Sequence, residues 1–346
     1  MNDYKNLKLI ETSSPHIRGN ETTRSLMLDV IIAMIPALAF AVWQFGLRAL
    51  TATAVSVVGC IFWEWLYRKL MKKPQSVGDL SAVVSGMLIA FVSPADVPYF
   101  ILIIGDLFAM VIVKQLFGGI GKNFINPALA ARAFMLGSYA AAMTHWVDPA
   151  VNKAAMFGSN VDIVTAATPL SYMKGSGDAL AATFANLKDT YSVMDMFLGK
   201  VGGSLGEVSA LMLILGGAYL IVRKVINWQI PVGYLATVAV LTFLFPKAGT
   251  GVEWMLYNLF GGGLMLGAFF MATDYATSPI TKKGQLIFGI GCGLLTVFIR
   301  YFGSYNEGVC YSIMIMNLLV ALIDKNTKPA RFGVVKSEKK KEAAAK

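Results

Sequence analysis

A threonine hydroxyl can form a phosphoester, and the stretch Thr165-Ala-Ala-Thr-Pro-Leu170 offers two such hydroxyls among small neighbours that leave room for a bulky group. Taken alone, the string reads as a loop with a turn at Pro169. A second candidate is Gly118-Gly-Ile-Gly-Lys-Asn-Phe-Ile-Asn-Pro-Ala128. There Asn123 and Asn126 present amide donors and acceptors that suit an uncharged polar ring. As local structure, the same run is a glycine-rich approach to a helix, with one asparagine as N-cap before Pro127. It is not a P-loop, because no G-x-x-x-x-G-K-[ST] occurs in the chain. Third come carboxylates in or beside apolar runs: Asp29, Glu64, Asp106, Asp274 and Asp324. An acid inside a bilayer is costly and points to function by default. For those near the ends of apolar runs, Asp274 and Asp324 among them, a plain helix-end role competes. Arg132, inside an apolar run, is expected to pair with one of these acids.

Other reactive residue types carry less. Cys60, Cys292 and Cys310 all fall in apolar segments, form no CxxC, and are too few for a four-thiolate cluster. They read as small core residues. His16 and His145 are isolated, so no metal site is expected.

The elements that must position these residues are membrane elements. Of 346 residues 56% are hydrophobic and 14% charged, against about 25% charged in soluble domains. Mean hydropathy is +0.61. Residues 1–25 are polar and lack the apolar core of a cleavable leader, so the first apolar segment is expected to be a retained span. Crossing about 30 Å takes roughly 20 apolar residues, fewer where a helix is broken inside protein. Ten segments qualify: 26–45, 48–67, 77–94, 98–117, 124–142, 207–226, 230–246, 254–272, 284–302 and 308–324. The third ends at Ser93-Pro94 and the eighth contains Gly261-Gly-Gly263, so both are expected to be broken. Trp43, Trp63, Trp65, Trp146 and Trp254 read as an interfacial belt.

Charge orients the chain. With the N-terminus inside, 22 of the 30 Lys and Arg fall on the inner side and 7 on the outer, Arg132 lying within a span. Basic residues stay on the cytoplasmic side. Both termini are therefore expected in the cytoplasm, and the loop carrying Thr168 outside. The net charge of +10 has the same origin, and no nucleic-acid partner is expected. The organisation read from this pattern is a cytoplasmic segment 1–25, five helices over 26–142, an extracytoplasmic loop 143–206, five more helices over 207–324 and a basic cytoplasmic tail 325–346. Gly86-Met-Leu-Ile-Ala-Phe-Val-Ser-Pro-Ala-Asp96 resembles Leu264-Met-Leu-Gly-Ala-Phe-Phe-Met-Ala-Thr-Asp274, with Ala90, Phe91 and Asp96 falling on Ala268, Phe269 and Asp274. An odd number of spans per half makes the halves opposite in orientation. The fold class expected is thus an all-α polytopic membrane protein, ten transmembrane helices in two inverted five-helix repeats, with a site near the repeat interface.

In order along the chain stand Ser14-Pro-His-Ile-Arg18, Thr23-Arg-Ser-Leu-Met-Leu-Asp29, the Gly118–Ala128 run, Ala166-Ala-Thr-Pro-Leu170, Met271-Ala-Thr-Asp274, Glu307-Gly-Val and Met316-Asn-Leu. This set resembles the NqrB/RnfD family of membrane redox pumps over nearly the whole chain, and its length is that of the shorter, RnfD-like branch. The resemblance implies FMN joined through its phosphate to Thr168, the last residue of an S/T-G/A-A-T motif whose first position is Thr165. Ala166 stands where glycine is common. It further implies noncovalent riboflavin near Asn123 and Asn126, and cation movement past Asp274 and Asp324. A flavin transferase would form the ester. Partner subunits would carry Fe–S and flavin centres in a prokaryotic cytoplasmic membrane, coupling electron flow between ferredoxin and NAD to Na⁺ or H⁺ translocation. No Rossmann fingerprint is present, so NAD is expected to bind elsewhere in the assembly. The alternative class is a stand-alone channel or secondary transporter for a small solute, which an inverted repeat supports equally.

Overall fold

The computed structural model describes residues 21–147, 167–175, 177–207, 209–303 and 305–329. Thr165, the 148–166 part of the loop, His16 and most of the basic tail lie outside them. Among the described residues the protein is all helix, with one isolated bridge between Pro94 and Ser204.

Local sequence explains where helices start and stop. Helix α1 (Thr23–Phe45) begins at Thr22, whose side chain and that of Ser25 cap each other's backbone N–H groups. Gly46, at φ 77°, turns the chain directly into α2 (Leu47–Leu70). Helix α3 (Ser81–Phe91) ends before Ser93-Pro94, since a residue preceding proline resists the helical conformation. Helix α4 (Tyr99–Leu107) widens into a π-helical stretch, Phe108–Gln115. Asn126 caps α5 (Pro127–Ser138) by accepting from Ala128 N–H, with Pro127 in the first turn. A short α6 (Ala140–Met143) follows. Three short helices sit between the apolar groups: α7 (Pro169–Tyr172), α8 (Gly177–Thr190) and α9 (Val193–Leu198). Then come α10 (Ala210–Val222), α11 (Gln229–Leu244), α12 (Gly251–Phe260) and α13 (Leu264–Leu266), the last continuing as a π-helical turn, Gly267–Met271. Helices α14 (Lys282–Phe302) and α15 (Val309–Asn326) complete the bundle.

Helices α1, α2, α14 and α15 are long and apolar enough to cross a membrane, and α12 with α13, bent by 65°, makes a fifth candidate. The outward faces of the long helices carry Ile35, Val58, Leu294, Phe298 and Leu322 in exposed positions. That surface fits a multi-pass membrane protein, in which lipid covers apolar side chains. Inside, close backbone approach replaces the hydrophobic drive. A Cβ on Gly86 would come within 2.7 Å of Val57 Cα, and one on Gly289 within 2.7 Å of Ile230 O. Helices α2 and α3, and α11 and α14, therefore touch through their backbones.

Each of the ten expected segments contains helix, and the eighth breaks at its glycines as read from sequence. The third is α-helical over 81–91, after a 3₁₀ turn at Val77–Asp79, and the fifth is divided between α5 and α6. The three cysteines are buried and free. Trp254 departs from the expected interfacial belt. It is buried, stacked at a tilt against Phe184, and donates to the Tyr301 hydroxyl at 2.6 Å. Phe184 of α8 covers it in place of lipid.

Candidate functional site

Thr168 stands at the N-cap position of α7, in extended conformation, yet its side chain makes no capping bond. Its carbonyl does the local work, accepting from Ser171 Oγ at 2.6 Å. The half-buried hydroxyl is thus left over, and it lines a cavity of about 790 Å³ with Arg132, His145, Trp146, Tyr305 and Glu307. Pockets that take drug-sized ligands run from roughly 300 to 1,000 Å³. A spare hydroxyl in a space of this size fits a tethered FMN.

Beneath Thr168 the wall is ionic. Arg132, on α5, donates to Glu207 Oε1 at 2.7 Å and to Glu307 Oε2. The expectation that Arg132 pairs with one of the five named acids is therefore corrected. Both partners flank apolar segments, Glu207 just before α10 and Glu307 just before α15, and only tertiary packing brings them to α5. The same wall contains the break between α12 and α13. There Gly262, at φ +67°, occupies a conformation that costs a side-chain-bearing residue about 1–2 kcal/mol. A Cβ at Gly262 would press on Leu170 and Glu307, and one at Gly263 on Glu207. Arg300 ties the break down, donating to Asn258 O at 2.6 Å and Gly261 O at 3.1 Å. Just past α7, Lys174 donates to Gly303 O, and burial, with Lys247 nearby, pushes its ammonium below the usual lysine range.

Asn123, Asn126 and Asp274 come together at a second cavity, lined also by Lys114, Ser81 and Phe269. The two asparagines have different duties. Asn126 is committed: it caps α5 and its Nδ2 donates to Met271 O at 3.2 Å. Asn123 is buried with its Oδ1 unpartnered. Asp274 accepts from Thr277 Oγ1 at 3.1 Å and caps the turn after the broken helix. The Asn317 amide, oriented to satisfy its neighbours, donates to Thr277 O at 3.0 Å and accepts from Asn126 N–H at 3.3 Å. This accounts for the Met316-Asn-Leu motif as a tie from α15 to the entry of α5 and to the turn that follows the broken eighth segment. The cavity measures about 80 Å³, well below the roughly 300 Å³ where ligand pockets begin. In this arrangement it does not fit a flavin ring, although the Asn123 oxygen is the kind of group a ring would use.

Asp324 stands apart from both cavities and accepts from Ile280 N–H at 3.1 Å. Asp29 binds Tyr219 Oη at 2.9 Å and Arg223 at 3.2 Å. Glu64 holds Lys114 at 3.0 Å, and Lys114 also donates to Ser81 Oγ at 2.6 Å. Sequence reasoning does not single out Glu207 or Lys114. A signal for each is present: Glu207 opens an apolar run, and Lys114 interrupts one four residues before Gly118.

A family model described as the NQR2, RnfD, RnfE family matches residues 10–333. The chain is 46% identical over 340 residues to the D subunit of the Na(+)-translocating ferredoxin:NAD(+) oxidoreductase complex of Acetobacterium woodii, covering 97% of this chain and 99% of that one. It is 42% identical to the D subunit of the proton-translocating ferredoxin:NAD(+) oxidoreductase complex of Clostridium ljungdahlii, covering 93% and 95%. It is 35% identical to the D subunit of the ion-translocating oxidoreductase complex of Stutzerimonas stutzeri, covering 89% and 91%.

Proposed function

The chain belongs to the NQR2, RnfD, RnfE family, and on that premise we propose that it is the D subunit of an ion-translocating ferredoxin:NAD(+) oxidoreductase complex. End-to-end identity with subunits of that name carries the reading. The other subunits of such a complex are its partners. Relatives of nearly equal identity are named for different ions, Na⁺ in one and the proton in the other.

Within the complex, the proposed role of this chain is electron relay through FMN esterified to Thr168 by a flavin transferase. The spare hydroxyl and the cavity beside it support this. A bound flavin supplies one- and two-electron carriage. The chain's own contribution is positional. Thr168 would fix the phosphate, His145, Trp146 and Tyr305 would border the ring space, and the Arg132–glutamate cluster would hold the wall rigid. Thr165 is proposed to complete the transferase recognition motif. For riboflavin we propose a position against Asn123, with Asn126 maintaining the wall. The slot, about 80 Å³ here, must widen to admit a ring. The ion pathway is assigned to Asp274, which lines the inner cavity, in preference to Asp324, which holds a backbone N–H. The ten apolar segments are proposed as ten spans in two inverted halves, with both termini cytoplasmic and Thr168 outside.

Two experiments test these assignments. The denatured wild-type chain, made in cells with the transferase, should run as a fluorescent flavin band, and Thr168→Ala should abolish it. A colourless wild-type band would favour the solute-channel reading instead. Membrane-impermeant labelling of single cysteines should reach the 143–206 loop and miss the C-terminal tail; the reverse pattern overturns the orientation.

A further inference from the structure

Asp106 belongs to neither cavity. It lies near the end of α4, is completely buried, and faces the middle of α2 and α3. Among the described residues no Lys, Arg or His forms an ion pair with it, whereas Asp29, Glu64, Asp96, Glu207 and Glu307 each have one. An isolated carboxylate in a low-dielectric interior is heavily penalised, while the neutral acid is not. Room for the group is made by Gly59 on α2, where any Cβ would collide with the Asp106 carboxyl.

Hydrogen-bond accounting points to the same protonation state. Ser56 Oγ, on α2, stands 2.7 Å from Asp106 Oδ1 and 3.0 Å from Gly86 O on α3, placed to donate to either. A serine hydroxyl has one proton to give, and a carbonyl oxygen can only accept. Both short contacts become full two-centre bonds in one way: Asp106 carries a proton on Oδ1 and donates it to Ser56 Oγ, which donates its own to Gly86 O. Asp106 Oδ2 has no partner, as suits a neutral carbonyl oxygen better than a charged one. The remaining polar neighbours do not supply a counter-charge. Cys60 on α2 offers a thiol 3.4 Å from Oδ1, α3 contributes backbone only, and α5 places Met135 against Gly105. The nearest charged side chains along α2 and the α4 extension, Glu64 and Lys114, are bound to each other.

We propose that Asp106 is a proton-binding site in the membrane interior, loaded as the neutral acid in this conformation, and that Ser56 reports its occupancy to α3. Release moves the Oδ1 proton to water or another base and leaves a carboxylate. The Ser56 O–H then turns from Gly86 O to that carboxylate, so loss of the proton breaks a bond between α2 and α3. Asp106 shares no contact with the Thr168 cavity, so the two assignments stand or fall separately.

Infrared spectroscopy of the assembled complex, with aspartate ¹³C-labelled at the side-chain carboxyl, tests it. The difference between wild type and Asp106→Asn at neutral pH should show one protonated-acid carbonyl band lost in the variant. That band should shift in D₂O as the proton exchanges with solvent. Loss of carboxylate bands instead would overturn the proposal. So would an acid band that never exchanges, which would mark a sealed structural acid. Should Asp106→Asn fail to assemble, Ser56→Ala serves: the acid band should move to higher frequency as its hydrogen bond is lost, and an unmoved band would refute the Ser56 link.

Discussion

At the Thr168 cavity Arg132 is gripped by two glutamates at the edge of about 790 Å³ of space, whereas at the Asn123 cavity a buried amide oxygen is left unpartnered in about 80 Å³. The spare group at the first is a hydroxyl, half-exposed and able to take a covalent bond. The spare group at the second is an amide oxygen, able only to accept a hydrogen bond. The difference matches two ways of holding a cofactor. A wide and open site gains little from affinity and is suited to a tether. A narrow site lined by amides and aromatic rings would have to hold its ligand by fit.

The contrast can be broken most forcefully at Arg132. Arg132→Ala strands the buried Glu207 and frees the half-buried Glu307 beside it, and removing one partner of a buried pair costs about 3–5 kcal/mol. The thermal midpoint of the detergent-solubilised complex should fall sharply, and the flavin band at Thr168 should weaken with it. An unchanged midpoint would mean that the wall of the Thr168 cavity is not held by charge.

The Asn123 cavity predicts an asymmetry between two similar residues. Asn126→Ala removes a helix cap and the bond to Met271 O, and should cost about 2 kcal/mol. Asn123→Ala removes an oxygen that binds nothing in the protein and should leave the thermal midpoint nearly unchanged, while lowering the content of extractable, noncovalent flavin. Equal destabilisation by both would erase the distinction between wall and ligand-facing amide. The smallest effect is expected at Asp324. Asp324→Asn weakens one bond to the Ile280 N–H, worth about 1 kcal/mol, and ion transport by the reconstituted complex should persist. A transport defect as large as that of Asp274→Asn would put Asp324 back on the ion path.

Much of the molecule is readable in its sequence because it depends on neighbours in the chain. The broken eighth segment follows from three consecutive glycines, and an asparagine cap ahead of Pro127 from the proline itself, the structure giving that duty to Asn126. The position of Thr168 between apolar groups needs only hydropathy. What escapes depends on contacts across the fold. The partners of Arg132 are 75 and 175 residues away, and no spacing rule links them. Trp254 is hidden by Phe184, from a helix outside the apolar groups. In the sequence Asp106 is one more acid in an apolar run; its isolation from positive charge is visible only once α2, α3 and α4 are packed together.

The backbone bonds from Leu205 and Gly206 to Ser93 and Phe91, at 3.0 and 2.9 Å, join stretches more than a hundred residues apart. Asn126 with Met271, Arg132 with Glu207 and Glu307, and Asp29 with Tyr219 and Arg223 add further ties across the same divide. The two sides of the loop are therefore held to each other by recognition as well as by the polypeptide that joins them. A gene divided between codons 147 and 167 would encode two separately inserted pieces whose facing surfaces already specify how they reassemble.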